Sequence, residues 1–269
     1  VPTEPPIIEL QGVSKTFGTR RLLESIDLTI HKGESLVILG GSGSGKSTTL
    51  RVITGAVTPD AGDVRVLGRS VHSLPRAERD TFKRSIGMLF QSAALFNSMS
   101  VYDNVALPLR EHTTLEESTI EVVVKIKLEQ VGLREHSNKM PSELSGGMKK
   151  RAGLARAMAL DPPILLCDEP SAGLDPVTSA EIDQLILDLN DRLGVTVVTV
   201  THEMDSAFRI ADRMALLDRG RFVAFGSPQQ MRDSTDPLVR QFVHGLTEGP
   251  LTDRRRDSNY ESDLLGGKR

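Results

Sequence analysis

Apolar positions along this chain change their spacing several times, and each change marks a different element. In IIELQGVSKTFG (7–18) and ESIDLTIHKGE (24–34), apolar and polar residues alternate, with turns at Gly12, Gly18 and Lys32-Gly33; GDVRVLG (62–68) sets Val64 and Val66 between charged neighbours in the same way. These segments predict a small antiparallel layer of strands. SLVIL (35–39) is instead a continuous apolar run, the pattern of a strand buried on both faces. A glycine-rich loop follows it, and KSTTLRVITG (46–55) then reads as a helix that ends at Gly55.

From about Pro75 to Leu160 the pattern turns helical and more charged; TIEVVVKIKLEQVGL (119–133) is its clearest amphipathic segment, and a helical subdomain inserted over about 92–160 is expected. Buried-type strands return as PILLCDE (163–169) and VTVVTVTHE (195–203), separated by the helix VTSAEIDQLILDLNDRL (177–193). That alternation is βαβ and predicts a parallel sheet. RMALLDRGRFVAFG (213–226) closes the fold as a hairpin turning at Arg219-Gly220. The expected class is α/β, one domain over 7–245, with a mixed or parallel core sheet, an antiparallel β subdomain and the helical insertion. The stretch after it, 246–269, is polar and without apolar periodicity, so it cannot be core. It fits either a disordered tail or an arm that orders on a neighbouring subunit through Tyr260, Leu264 and Leu265.

Charge narrows the choice of partners. Thirty-three Lys plus Arg stand against 36 Asp plus Glu, a net charge of -3, which argues against a nucleic-acid binder. A single cysteine, Cys167, excludes an internal disulfide and reads as a small buried hydrophobe within its strand, in a reducing compartment. No Cys/His cluster offers a zinc site, so any metal should take oxygen ligands. No apolar run reaches the roughly 18 residues that span a bilayer, so a membrane role is expected to run through a partner.

GGSGSGKST (40–48) fits G-x-x-x-x-G-K-[ST] with Gly40, Gly45, Lys46 and Ser47, placed between a buried strand and a helix. Glycines let the backbone wrap closely around phosphates, and the exposed N–H groups with the helix dipole supply a fixed positive field. Gly40, Gly41, Ser42, Gly43, Ser44, Gly45, Lys46, Ser47 and Thr48 are therefore the candidate nucleotide cradle, with Lys46 on the β- and γ-phosphates and the Ser47 hydroxyl on Mg²⁺. Asp168 and Glu169 end a buried strand at the carboxyl edge of the sheet, where ligands of open α/β sheets bind. Asp168 suits the Mg²⁺ shell and Glu169 a base for the attacking water; His202, ending the next strand at that edge, suits the γ-phosphate. ELSGGMKKR (143–151) sets Ser145, Gly146 and Gly147 before three cations. Given the net charge, Lys149, Lys150 and Arg151 are expected to form a solvated or partner-facing helix surface.

With the phosphate loop, ELSGGM, ILLCDEPSAGLDP and THE in this order, the chain resembles the ATP-binding cassette (ABC) ATPases, P-loop NTPases whose signature is L-S-G-G-Q. Leu144 to Gly147 match it and Met148 replaces the glutamine. The resemblance covers about 7–243. It implies ATP and Mg²⁺ as ligands and a head-to-tail dimer, in which Ser145, Gly146 and Gly147 meet the γ-phosphate held by the second copy. It further implies that Gln91 senses Mg²⁺ and the attacking water, that Phe17 stacks on adenine, and that Asp175 lies in a loop crossing the dimer interface. The segment after Gln91, the run MPSELSGGMKKRAGLARAMALDP and the ending VRQFVHGLTEGP are similar to the ATPase subunits of MCE-type (Mla-like) systems, which move phospholipid between bacterial membranes. NYESDLLGG in the tail is similar to the tail of some of those subunits. Implied partners are an MCE-type permease, an MCE-domain lipid-binding protein and a STAS-domain protein, with the chain peripheral on the cytoplasmic face of the inner membrane. A cassette serving a permease for an amino acid, a drug or another solute is the alternative.

Overall fold

The computed structural model describes residues 5–252, so the tail segment with Tyr260, Leu264 and Leu265 lies outside the described residues. In chain order the first elements are β1 (Ile8–Phe17), β2 (Arg20–Ile30), β3 (Ser35–Leu39), α1 (Lys46–Ile53), β4 (Ala61–Val66), β5 (Arg69–Ser70), α2 (Arg76–Arg84) and β6 (Ile86–Leu89). Then come α3 (Val101–His112), α4 (Glu117–Gln130), α5 (Gly146–Ala157), β7 (Ile164–Asp168), α6 (Pro176–Leu193), β8 (Thr196–Thr201) and α7 (Met204–Ile210). The chain continues through β9 (Arg213–Asp218), β10 (Arg221–Gly226), α8 (Pro228–Arg232) and α9 (Pro237–His244).

The alternating segments form the expected antiparallel layer, in the order β2-β1-β4-β5. A six-stranded sheet, β10-β9-β3-β8-β7-β6, makes the core, parallel from β9 to β6 with β10 antiparallel at one edge. Its central strands are buried on both faces because each face has its own cover. On β7, Ile164 and Leu166 join a core shared with α1 and the antiparallel layer, while Leu165 and Cys167 join a core shared with α3, α4, α5 and α6. On β3, Leu36 and Ile38 face the first of these cores, and Val37 and Leu39 face a third under α7, α8 and α9.

The structure departs from one expectation. The region from Pro75 to Leu160 is not wholly helical, because β6 joins the sheet edge with Leu89 opposite Cys167. Four residues are too few to show a period, and it is the register with β7 that makes this segment a strand. The helical insertion starts beyond it. Asn104, fully buried in α3, fastens the loop that leads in: its amide donates to the carbonyls of Phe96, Met99 and Ser100 and accepts from the Phe96 N–H. No helix among the described residues is long and apolar enough to cross a membrane.

Candidate active site

The site lies where β3, β7 and β8 deliver their carboxyl ends side by side, Leu39 opposite Thr201 and Asp168 opposite Val200. The loop from Gly40 to Gly45 wraps the start of α1. Gly45 takes φ 113°, and a Cβ there would lie 2.5 Å from the Leu22 carbonyl oxygen, so no other residue fits this position. Lys46 is buried, and its Nζ donates to the carbonyls of Gly40 at 2.7 Å and Gly41 at 3.3 Å, holding the ammonium inside the loop. Ser44 Oγ is buried and has no hydrogen-bond partner among the described residues. A buried hydroxyl left unpaired is costly, and a phosphate oxygen in the loop would satisfy it.

The two carboxylates of the acidic pair meet different neighbours. Asp168 Oδ1 accepts from the Ser47 hydroxyl at 3.0 Å, bringing two oxygen donors together, a set that suits a hard cation such as Mg²⁺. Burial pushes the Asp168 carboxyl above its ordinary value, and the neighbouring Glu169 adds to this against the Ser47 hydroxyl. Glu169 points the other way, toward β8. Its Oε2 accepts from the Thr201 hydroxyl at 3.1 Å, its Oε1 sits 2.9 Å from His202 Nδ1, and Lys46 Nζ is 3.7 Å away. Its backbone is in the left-handed region, φ 49°, a conformation that a residue with a Cβ holds only against strain. The arrangement gathers a cation, a carboxylate and an imidazole around one point at the sheet edge, groups that can hold an anion and move a proton beside it.

Not every expected residue joins this cluster. Gln91 is exposed, two residues past β6, and no side chain among the described residues bonds it. Phe17, 47 % exposed at the end of β1, has Lys15 Nζ 5.3 Å from its ring centroid. It pairs across the strands with Arg20, whose guanidinium donates to the Gly43 carbonyl at 3.1 Å, so the aromatic rides on a hairpin that touches the phosphate loop. Asp175 caps α6 through the Val177 and Thr178 N–H groups.

Ser145 caps α5, accepting from the Met148 N–H at 3.3 Å, and both Ser145 and Gly146 are exposed. Gly147 is buried, and a Cβ on it would lie 2.4 Å from Thr178 Cγ2. Of the three cations beyond it, Lys149 stays half-exposed, while the other two turn to partners within the fold. Lys150 is 5 % exposed and donates to the Glu169 carbonyl at 2.7 Å, and burial pushes its ammonium below its ordinary value. Arg151 donates to the Val131 carbonyl at 3.1 Å and to Glu181 at 2.7 Å. Helix period held the clue: position 150 lies three residues after Gly147 and four before Leu154, both buried. Thr201, between Glu169 and the Glu203 N–H, also escaped the sequence reading.

Residues 23–172, more than half of the chain, match the family profile described as ABC transporter. The chain belongs to the ABC transporter family. It is accordingly an ATP-binding and ATP-hydrolysing cassette. This cassette is 44 % identical over 261 residues to the intermembrane phospholipid transport system ATP-binding protein MlaF of Escherichia coli K12, covering 97 % of either chain. It is 46 % identical over 244 residues to the probable ribonucleotide transport ATP-binding protein mkl of Mycobacterium tuberculosis H37Rv, covering 91 % of this chain and 68 % of that one. Among solved structures, the ATP-binding cassette MJ0796, described as a dimeric post-hydrolysis state bound to ADP and Pi, superposes with a TM-score of 0.77 at 32 % identity, over 82 % of this chain and 98 % of that one. The cassette cbiO1 from Clostridium perfringens, part of the complex cbiONQ, gives 0.79 at 29 % identity, over 88 % and 95 %.

Proposed function

We propose that this cassette is the ATPase subunit of a bacterial transporter that moves phospholipid between membranes, working as a head-to-tail dimer on the cytoplasmic face of the inner membrane beneath an MCE-type permease. The observation that carries the substrate class is the end-to-end likeness to the phospholipid transport protein of E. coli, 97 % of both chains. The dimer of the structurally similar ADP-bound cassette supports the mode of assembly. An MCE-domain lipid-binding protein and a STAS-domain protein complete the proposed complex; nucleic acid has no part in it.

In this reading the N–H groups of the loop from Gly40 to Thr48, the Ser44 hydroxyl and the Lys46 ammonium bind the triphosphate, and Phe17 stacks on the base. Ser47 and Asp168, with Gln91, would hold Mg²⁺, which when bound screens the phosphate charge. Glu169 takes the proton of the attacking water. His202, 2.9 Å from that carboxylate, orients it and would contact the γ-phosphate. Ser145, Gly146 and Gly147 present a capped helix start to the γ-phosphate of the partner's ATP, where N–H groups and the helix dipole favour an anion. Closing two copies on two ATP molecules and reopening them after hydrolysis supplies the motion passed to the permease. The domain bounds in this proposal are 7–245 for the cassette, with the helical subdomain at about 92–160.

The test is transport by the whole complex in vesicles carrying a fluorescent phospholipid. ATP-dependent lipid movement that stops with Glu169→Gln is the expected result. ATP-driven movement of a ribonucleotide, an amino acid or another water-soluble compound without lipid movement would overturn the substrate assignment and leave the ATPase intact.

A further inference from the structure

Helix α5 begins in the signature and runs back to the catalytic edge of its own chain. Ser145 and Gly146 form its exposed start, with Gly147 buried behind them in the first turn; about 7–8 Å along the axis from Ser145, at the usual helical rise, Lys150 turns inward. Its ammonium, 5 % exposed, donates to the backbone carbonyl of Glu169 at 2.7 Å. That carbonyl belongs to a residue whose φ of 49° is strained and needs fixing from outside. The side chain of Glu169 is held from β8 by Thr201 and His202, and its backbone is held from α5 by Lys150. Packing alone does not call for an ammonium here. A methionine has nearly the same length and carries no desolvation cost, whereas a buried cation bonded to a neutral carbonyl is expensive.

We infer that Lys150 is a positioning residue that sets the backbone of Glu169, so that engagement of the signature turn with the partner's nucleotide is transmitted along one rigid helix to the base in the same chain. The inference rests on the proposed roles of Glu169 as base and of Ser145 to Gly147 as the surface that meets the second ATP. It explains why the first two turns of α5 carry chemistry that packing does not demand. It also gives each of the two ATP sites a physical route to the other: the helix start reads one nucleotide, and the lysine on the same helix adjusts the base that acts on the other.

The test is ATP hydrolysis by the full-length chain carrying Lys150→Met or Lys150→Arg, with initial rates over a range of ATP concentrations and melting curves with and without ATP. Lys150→Met should lower kcat by roughly tenfold or more, because a small displacement of a positioned base is that costly. KM and the ATP-induced rise in melting temperature should stay within about twofold of the parent, since the cradle from Gly40 to Thr48 is untouched, and Lys150→Arg should recover most of kcat. An unchanged kcat, a fall in kcat matched by loss of the ATP-induced thermal shift, or failure of arginine to improve on methionine would each overturn the inference. Should Lys150→Met not fold, Lys150→Gln, whose amide falls one bond short of the carbonyl, takes its place with the same two readings. Turnover that persists in Glu169→Gln, measured alongside, would instead remove the reading of Glu169 on which the inference stands.

Discussion

Replacing Gly147 by alanine separates two reasons for a glycine in the signature. The added Cβ would stand 2.4 Å from Thr178 Cγ2, against the roughly 3.5–4.0 Å at which carbon atoms rest in contact. Thr178 cannot turn its methyl aside cheaply, since it is β-branched and its hydroxyl donates to Asp175 Oδ2 at 2.5 Å within the cap of α6. The overpacking should cost about 1–3 kcal/mol. In a chain of this size that lowers Tm by roughly 2–12 °C. Thr178→Ser removes the methyl and keeps the hydroxyl, so Gly147→Ala in that background should recover to within about 0.5 kcal/mol. The assay is a double-mutant cycle on four full-length proteins, followed by thermal unfolding and by ATP turnover. Equal losses of stability in the Thr178 and Ser backgrounds would refute the packing argument. Turnover then reports the second reason separately: activity that stays low in the restabilised double variant traces to close approach of the signature backbone to a phosphate.

Three further outcomes follow from the site. Glu169→Gln should cut turnover by about 10²–10⁴-fold while ATP affinity stays within a few-fold, measured by single-turnover hydrolysis beside equilibrium binding; turnover at the parent rate would remove Glu169 as the base. Lys46→Ala deletes a charge-assisted contact with phosphate of about 1.5–3 kcal/mol, so a fluorescent ATP analogue should bind roughly 10- to 100-fold more weakly, and unaltered affinity would remove the lysine from the cradle. Cys167 is fully buried in β7, and burial pushes its thiol up to about 12, so a maleimide should label it only after unfolding; rapid labelling of the folded chain would contradict the packing of β7 between its neighbours.

What could be read from the residues was what depends on neighbours in the chain. The run Ser35 to Leu39 and the loop and helix after it were legible because burial, glycine freedom and helix initiation are written within about twenty consecutive positions, and the structure places β3 and α1 there. Asp168 and Glu169 were legible for the same reason, at the end of an unbroken apolar strand. The strand β6 was not, because four residues carry too little period and only pairing with β7 defines them. Nor was the fate of the cations in ELSGGMKKR. By charge alone they belonged on a wet surface; folding brings the Glu169 carbonyl to Lys150 and the Val131 carbonyl and Glu181 to Arg151, from positions 19 to 30 residues away in the chain. Sequence thus determined which groups of this protein can do chemistry, since that follows from residue type and local spacing. Tertiary structure alone decided which carbonyl a buried ammonium meets and which methyl a glycine must clear, since both depend on segments that only the completed sheet brings together.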